Sequence, residues 1–252
     1  MKLRRSFSLH QLFFALGITV SCFSSFSLAQ DKIFRNDNQV QDAKIVGVSG
    51  SSVLIEVPGG KMGIPLAAIR SVVKAAPPEV AEARAAFLAQ DYQKALAAAR
   101  KVADQFKGLP VDWAQEMTGM IGDIYLSLNK LPEAEAAYKD FQKYYGSQGG
   151  VRTEVGLARI AYSRNDVAGA KSRVEAICNK ALEEKSPAPE VAQAYSQAFY
   201  LLGQILEGEK NYPAALENYL RTVTLYYHDP VSLAGAQARA ATLRQEHKVT
   251  VP

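Results

Sequence analysis

The chain has 252 residues, of which 48% are hydrophobic and 21% are charged, a balance typical of globular proteins and sufficient for one large domain or two smaller ones. Three of its 29 basic residues and none of its 25 acidic residues lie in residues 1–29, so the rest of the chain carries 26 basic and 25 acidic side chains. This near-neutral balance argues against a nucleic-acid partner, because such partners require a surplus of basic residues.

Residues 1–29 have the pattern of a secretory signal peptide. A basic stretch, Lys2–Arg5, precedes an apolar stretch, Leu12–Phe23, that is too short to span a bilayer comfortably. The small residues Ser27 and Ala29 then stand where a signal peptidase reads the chain. The sequence predicts cleavage after Ala29 and export, to the periplasm or in association with the outer membrane. A buried N-terminal helix is the alternative interpretation.

The two cysteines have different expected roles. Thr19–Cys22 loosely resembles the motif that directs lipid attachment to a cysteine, with Thr19 where an aliphatic residue is usual, so a lipid anchor at Cys22 is an alternative to a free exported protein. Cleavage after Ala29 leaves Cys178 alone, which excludes an internal disulfide. Cys178 lies beside Ile177 on a predicted helix, which favours a small buried apolar side chain over a reactive thiol.

Residues 30–74 have the pattern of a small antiparallel β-domain. Four short apolar runs predict strands, with Lys32–Phe34 as a further candidate at the start. The runs are Ala43–Val48, Val53–Val57, Met62–Leu66 and Ile69–Val73. Turns are predicted at Ser49–Ser52 and Pro58–Gly60. About 45 residues are marginal for an independent fold, so we expect this module to pack on the first helices or on a partner.

The β-module resembles small exported domains of the SH3-like or Sm-like barrel type. The residues that carry the resemblance are Lys44, Ile45, Val48, Val53, Ile55, Pro58, Gly59, Gly60, Ile64, Pro65, Leu66 and Ile69. The resemblance implies a small β-barrel-like fold. Residues 75–78, Ala-Ala-Pro-Pro, form a short stiff linker to the helical region, because tandem prolines cannot continue a strand.

Residues 79–247 are predicted to be helical, and Met117–Tyr145 shows their organisation most clearly. Apolar and small residues recur at helical spacing in two segments, which predicts two amphipathic helices with a corner at Asn129–Pro132. Gly122 and Ala134 are small where the helices approach each other, while Tyr125 and Tyr138 fill the space around them.

This stretch resembles a tetratricopeptide repeat (TPR), in which a small residue, an aromatic, an alanine and a second aromatic recur at the spacing of Gly122, Tyr125, Ala134 and Tyr138. Phe141 departs from the family pattern, which prefers a small residue there. Three further stretches carry copies of the pattern. The copies are Ala83, Ala86, Ala95 and Ala99; Ala158, Ala161, Ala170 and Val174; and Gly203, Leu206, Ala215 and Tyr219.

The resemblance implies a mainly α fold, a TPR-like α-solenoid of about four helical hairpins, preceded by the small antiparallel β-domain. Val231–Glu246 is predicted to be a single capping helix after the last hairpin, and residues 248–252 a disordered tail. Within the helical region, a flexible break is predicted at Gly146–Gly150 and another at Ser186–Pro189. Asp112 is predicted to cap a helix, and Trp113 to wedge between the first two hairpins, with a surface anchor for a partner as the alternative.

No pattern predicts a catalytic or metal site. His228 and His247 are isolated, and no nucleophile elbow, zinc-protease motif or calcium loop occurs. His228–Pro230 is predicted to be a turn that caps the next helix. We therefore expect a protein without metal, cofactor or enzymatic activity.

In the TPR family, the first helices of successive repeats line a concave groove that holds a peptide or a helix of another protein. Carried over to this chain, the resemblance implies a partner-binding groove formed by Arg84, Phe87, Asp123, Leu126, Arg159, Tyr162, Tyr200 and Gln204. The chain looks broadly like periplasmic TPR proteins that serve cell division or outer-membrane assembly, so we expect an adaptor of the bacterial cell envelope with a protein or peptide partner. The alternative is a structural protein that self-assembles through its repeats into a homo-oligomer and uses the β-module as its interaction surface.

Overall fold

The structure, a computed structural model, describes residues 31–250 and begins with six short strands. The predicted signal peptide and Cys22 lie outside the described residues, as do the last two residues of the predicted tail. The strands form two three-stranded antiparallel sheets, ordered β2-β1-β6 and β3-β4-β5, and a single 3-10 turn, Leu66–Ala68, precedes β6. The strands are β1 Asp31–Arg35, β2 Val40–Ala43, β3 Ile45–Ser49, β4 Ser52–Val57, β5 Gly60–Pro65 and β6 Ile69–Val73.

In each sheet, alternate residues point to one face, and the inner faces of the two sheets together form a single core. Ile33, Val53 and Ile64, from three different strands, are all buried in that core. The strand β2 was not predicted, since Val-Gln-Asp-Ala lacks the alternation of apolar and polar residues that reveals a half-buried strand. Only Lys44 separates β2 from β3, so the chain passes directly from one sheet into the other.

The β-module packs against the helical region, as expected from its small size. The Gln105 side-chain amide donates a hydrogen bond to the Val46 carbonyl oxygen at 2.9 Å. The indole of Trp113 donates to the Lys74 carbonyl oxygen at 3.1 Å and meets the Phe106 ring edge-on, with 5.1 Å between ring centroids. Trp113 therefore belongs to the core, where it joins the end of the β-module to the first helices.

Eight helices follow residue 77 in the described part of the chain. Short corners join consecutive helices, and α4 reverses direction at Gly146, which divides it into a first limb (131–145) and a second limb (147–163). The helices are α1 Pro78–Leu88, α2 Tyr92–Phe106, α3 Asp112–Ser127, α4 Leu131–Ser163, α5 Val167–Glu183, α6 Pro189–Gly208, α7 Tyr212–Thr224 and α8 Pro230–Glu246.

Four helical hairpins result: α1 with α2, α3 with the first limb of α4, the second limb with α5, and α6 with α7. Helix α8 follows the last hairpin and buries Ala236, Ala240 and Leu243. The Asp229 carboxylate caps its first turn by accepting a hydrogen bond from the Ser232 amide at 2.8 Å. The predicted fold class, a mainly α protein with a small antiparallel β-domain in front, is confirmed. No helix of residues 31–250 combines the length and apolarity needed to span a membrane.

The four hairpin corners have the same backbone geometry. Each contains one residue with a left-handed backbone, and the amide of the following residue bonds to the carbonyl five positions earlier, as Lys130 does to Tyr125 at 2.8 Å. The left-handed residues are Gln90, Asn129, Asn165 and Lys210, with φ of 61°, 55°, 64° and 61°. Four identical corners make the hairpins a structural repeat.

Tight contacts between glycine and tyrosine recur in the second and fourth hairpins. A Cβ atom on Gly122 would lie 2.6 Å from the Tyr138 ring, and one on Gly203 would lie 2.5 Å from the Tyr219 ring. Both rings are fully buried, as are the alanines Ala95, Ala134, Ala170 and Ala215, one in each repeat. Leu206 is buried and Tyr125 is half-buried.

The structure corrects two local predictions. The predicted break at Gly146–Gly150 is a reversal at Gly146 alone (φ 53°, ψ −130°), after which the helix resumes at once. Glycine permits this because it has no Cβ to clash in that conformation. Asp112 is the first residue inside α3 and Val111 occupies the capping position, so the predicted side-chain cap is absent there.

Candidate functional site

A groove of about 340 Å³ lies between the first helices of the four hairpins and the start of α8. Seven of the eight residues predicted for the groove line it: Phe87, Asp123, Leu126, Arg159, Tyr162, Tyr200 and Gln204. The eighth, Arg84, lines an adjoining pocket of about 290 Å³ that shares Phe87, Asp123 and Asp229 with the groove. The fold thus brings all eight residues to one continuous concave region.

Asp123 lies on the floor of this region rather than at its surface. It is 4% exposed, and its carboxylate accepts hydrogen bonds from the Tyr138 hydroxyl at 2.6 Å, from Arg152 at 2.5 Å and from Arg159 at 2.9 Å. We call these four residues the Asp123 cluster. Since protein donors occupy the carboxylate, Asp123 positions its neighbours instead of contacting a partner.

The charges of the Asp123 cluster stabilise one another. Burial by itself would raise the pKa of Asp123, but the guanidinium groups of Arg152 and Arg159 and the Tyr138 hydroxyl outweigh it and hold that pKa below its ordinary value. Burial and the neighbouring carboxylate together raise the pKa of Tyr138 well above its ordinary value. The cluster therefore contains a charged carboxylate, two charged guanidinium groups and a neutral phenol at neutral pH.

Arg159 is the member of the cluster that faces the groove. Its side chain is 30% exposed, whereas those of Asp123 and Arg152 are 6% and 5% exposed. Within residues 31–250, the guanidinium makes one hydrogen bond, to Asp123, which leaves further N–H groups for a ligand. Arg84, in contrast, makes two hydrogen bonds to the Glu116 carboxylate.

A second buried carboxylate, Asp229, closes the end of the groove at the start of α8. It is 5% exposed and accepts hydrogen bonds at 3.3 Å from the side-chain amides of Gln193 and Gln197, in addition to the Ser232 amide. Both carboxylates of the groove are therefore occupied from within the protein. Arg159 retains free N–H groups, and the Tyr162 hydroxyl and the Gln204 amide line the groove without a hydrogen bond to another described residue. The Tyr200 hydroxyl instead packs beside Gly235 of α8.

Apolar side chains flank these polar groups. Leu88, at the end of α1, is 58% exposed, and Val231, at the start of α8, is 53% exposed, although both are large and apolar. Both line the groove and the adjoining pocket. We call Leu88 and Val231 the apolar rim. Exposed apolar side chains beside a concave surface are typical of protein interaction sites.

Sequence reasoning did not find the apolar rim or Asp229. The resemblance assigns groove residues to the first helices of repeats, and α8 was interpreted only as a cap. The signal that was available is His228–Pro230, where an aspartate precedes a proline at a helix start and fixes the position of Val231.

Residues 31–250 contain no group of three or more histidine, cysteine, aspartate or glutamate side chains arranged to hold a metal ion. His228 lines the adjoining pocket. The His247 ring stacks on Tyr212, so the two histidines lie in different surroundings. No protein-family model matches this chain, and a search of curated proteins finds no relative. The fold and the groove are thus the basis for a functional proposal.

Proposed function

We propose that the chain is a non-enzymatic exported adaptor of the TPR type, which binds a peptide or a protein partner of the bacterial cell envelope in its groove. The observation that carries the proposal is the apolar rim: Leu88 and Val231 lie at the same concave surface, more than half exposed. A partner that packs its own apolar side chains against this rim removes both from water, which favours binding.

The polar groups of the groove support a peptide-like ligand. Arg159 supplies N–H donors, Tyr162 combines an aromatic surface with a hydroxyl group, and Tyr200 adds a second aromatic ring. Aromatic residues and arginine contribute most of the binding energy in many protein interfaces. A peptide offers the matching groups, since its carbonyl oxygens accept hydrogen bonds and its apolar side chains pack on the rim.

The repeat architecture also supports the TPR resemblance. The four corners have one backbone geometry, and the alanines that the resemblance singles out are fully buried in every hairpin. The β-module consists of two three-stranded antiparallel sheets around one core, in line with the small barrel-like fold that the resemblance implies. Export rests on residues 1–29, whose basic, apolar and small segments follow the order of a signal peptide.

The experiment is affinity capture from the native cell envelope with the wild type and a Leu88→Glu/Val231→Glu variant. These side chains are exposed, so the substitutions leave the core intact and place two charges on the rim. Leu182→Glu/Leu225→Glu is the matched control, because these leucines are 50% and 55% exposed and line neither groove nor pocket. Partners captured by the wild type and the control but lost from the rim variant support the proposal, and equal capture by all three contradicts it.

The second candidate function is a self-assembling structural protein whose β-module is the interaction surface. The observation that favours it is β5, which ends its sheet and is exposed along its length except at Ile64. Its Met62 side chain is 45% exposed. A free strand edge can pair with a strand of another chain. Met62→Lys in the same capture experiment separates the two functions, since only the second predicts that this variant loses its partners.

A further inference from the structure

The reversal of α4 depends on a single residue. The helix runs from Leu131 to Ser163, and Gly146 is its one residue with a non-helical backbone. The two limbs nevertheless lie side by side: the Thr153 hydroxyl donates to the Tyr138 carbonyl oxygen at 3.2 Å, and Arg164 donates to Glu135 at 3.3 Å. In a straight helix these pairs would be about 22 Å and about 44 Å apart along the axis.

Packing at the bend does not hold this reversal. Gly146 is exposed, and a Cβ atom placed on it would meet no atom within 4 Å. The reversal is held by contacts along the limbs, above all those of the Asp123 cluster, to which the first limb contributes Tyr138 and the second limb contributes Arg152 and Arg159.

None of these contacts requires that the two limbs belong to the same molecule. If Gly146 adopts a helical backbone, α4 becomes one continuous helix of 33 residues, and residues 147–250 move away from residues 31–145. The second limb of another copy can then supply Arg152 and Arg159 to Asp123, so the buried contacts of the monomer are rebuilt between two chains. Exchange of identical elements through a short hinge is a low-cost route to a dimer.

We propose that Gly146 sets the equilibrium between two assemblies: a monomer in which α4 folds back, and a domain-swapped dimer in which α4 is straight. Glycine favours the monomer, because the backbone at φ 53°, ψ −130° is readily accessible only without a side chain. The partner is a second copy of this chain. The inference is independent of what the groove binds, but in the dimer each groove combines Phe87 and Asp123 of one copy with Arg159 and Tyr200 of the other.

The first test compares Gly146→Ala with the wild type by size-exclusion chromatography and light scattering over a range of protein concentrations. Alanine strains the reversal and favours the continuous helix, so the dimer fraction should rise by about tenfold or more. Gly150→Ala is the matched control, because Gly150 lies in the same helix with a helical backbone, and a Cβ atom placed on it would likewise meet no atom within 4 Å. A folded Gly146→Ala variant that stays monomeric overturns the proposal.

The second test does not depend on the folding of Gly146→Ala. Glu135→Cys and Arg164→Cys, placed in a chain with Cys22→Ser and Cys178→Ala, put two thiols at positions whose native side chains bridge the limbs. A bismaleimide crosslinker joins them, because a glutamate–arginine pair spans more than a disulfide does. The protein is refolded at low and high concentration, diluted and crosslinked. The proposal predicts crosslinks within one chain at low concentration and a growing fraction between two chains at high concentration. Intrachain crosslinks alone at every concentration, or a Gly146→Ala dimer with intrachain crosslinks alone, contradict domain exchange.

Discussion

The ring of Tyr138 lies against the backbone of Gly122, so closely that a single added methyl group on Gly122 would come within 2.6 Å of it. Gly203 and Tyr219 have the same relationship two hairpins later. These pairs let the two helices of a hairpin approach each other while a large aromatic side chain fills the space beside them. The small residue and the aromatic of the repeat pattern are thus one packing unit.

Gly122→Ala should lower the free energy of unfolding by about 1–3 kcal/mol, because the Tyr138 ring must shift in a close-packed core. Gly208→Ala is the control: Gly208 also lies in a helix, at its last residue, but a Cβ there meets nothing within 4 Å, so the change should be neutral or slightly stabilising. Urea denaturation of both variants measures the difference. Equal stability of the two would contradict the packing role of Gly122.

Asp123→Asn should destabilise the protein by about 3–5 kcal/mol at pH 7, because it leaves Arg152 buried without a charged partner. The pKa of Asp123 is lower in the folded state than in the unfolded state. The carboxylate therefore contributes its full stabilisation above about pH 4, near the pKa of an unfolded aspartate. This stabilisation is lost as the pH falls through the lower pKa of the folded state. Denaturation of wild type and variant between pH 7 and pH 3 should therefore show a stability difference that narrows in acid. A stability difference that is constant with pH would show that the carboxylate charge of Asp123 does not stabilise the fold.

Gly47→Ala should loosen the β-module from the helices. A Cβ atom on Gly47 would lie 2.9 Å from the Gln105 backbone oxygen, which sits in α2 and cannot give way cheaply. Trp113 is the single tryptophan and lies at this joint, bonded to Lys74, so its fluorescence should shift to longer wavelength as water reaches it. Ser51→Ala, an exposed change in the same module, should leave the spectrum unchanged. An unchanged spectrum for Gly47→Ala would mean that the module does not depend on this contact.

Cys178 should react with thiol reagents only after unfolding. Burial raises its pKa to about 12, because the thiolate cannot be solvated between the apolar residues of α5 and α6. In a Cys22→Ser chain at pH 8, labelling of the native protein should be slower than labelling in denaturant by more than about a hundredfold, in line with the loss of thiolate. Rapid labelling of the native state would show that α5 opens locally.

The repeat pattern was predictable because its constraints are local. Ala134 and Tyr138 lie four residues apart on one helix, and the corner before them ends in residues that favour turns. The position of the groove residues followed from the same register. The burial of Asp123 was not predictable, because its partners Arg152 and Arg159 lie 29 and 36 residues away and reach it only through the reversal of α4.

Other features depend on how distant parts of the chain meet. Leu88 and Val231 belong to the first and last helices, and no local pattern places them at one groove. The run from Gly146 to Gly150 looks like a loop because glycine is common in loops, yet four of its five residues continue the helix. The strand β2 is an edge strand of mixed polarity. Its pairing with β1, and not its own composition, stabilises it as a strand.

The most direct test of the central claim is site-specific photocrosslinking at the apolar rim. A photoreactive amino acid replaces Val231 in one variant and Leu225, which is equally exposed outside the groove, in another. The proposed adaptor function predicts that the probe at residue 231 forms discrete adducts with another polypeptide in the cell envelope, and that Leu88→Glu in the same chain abolishes them. Adducts at residue 225 but not at residue 231, or adducts at 231 that persist with Leu88→Glu, would contradict the groove as the partner-binding site.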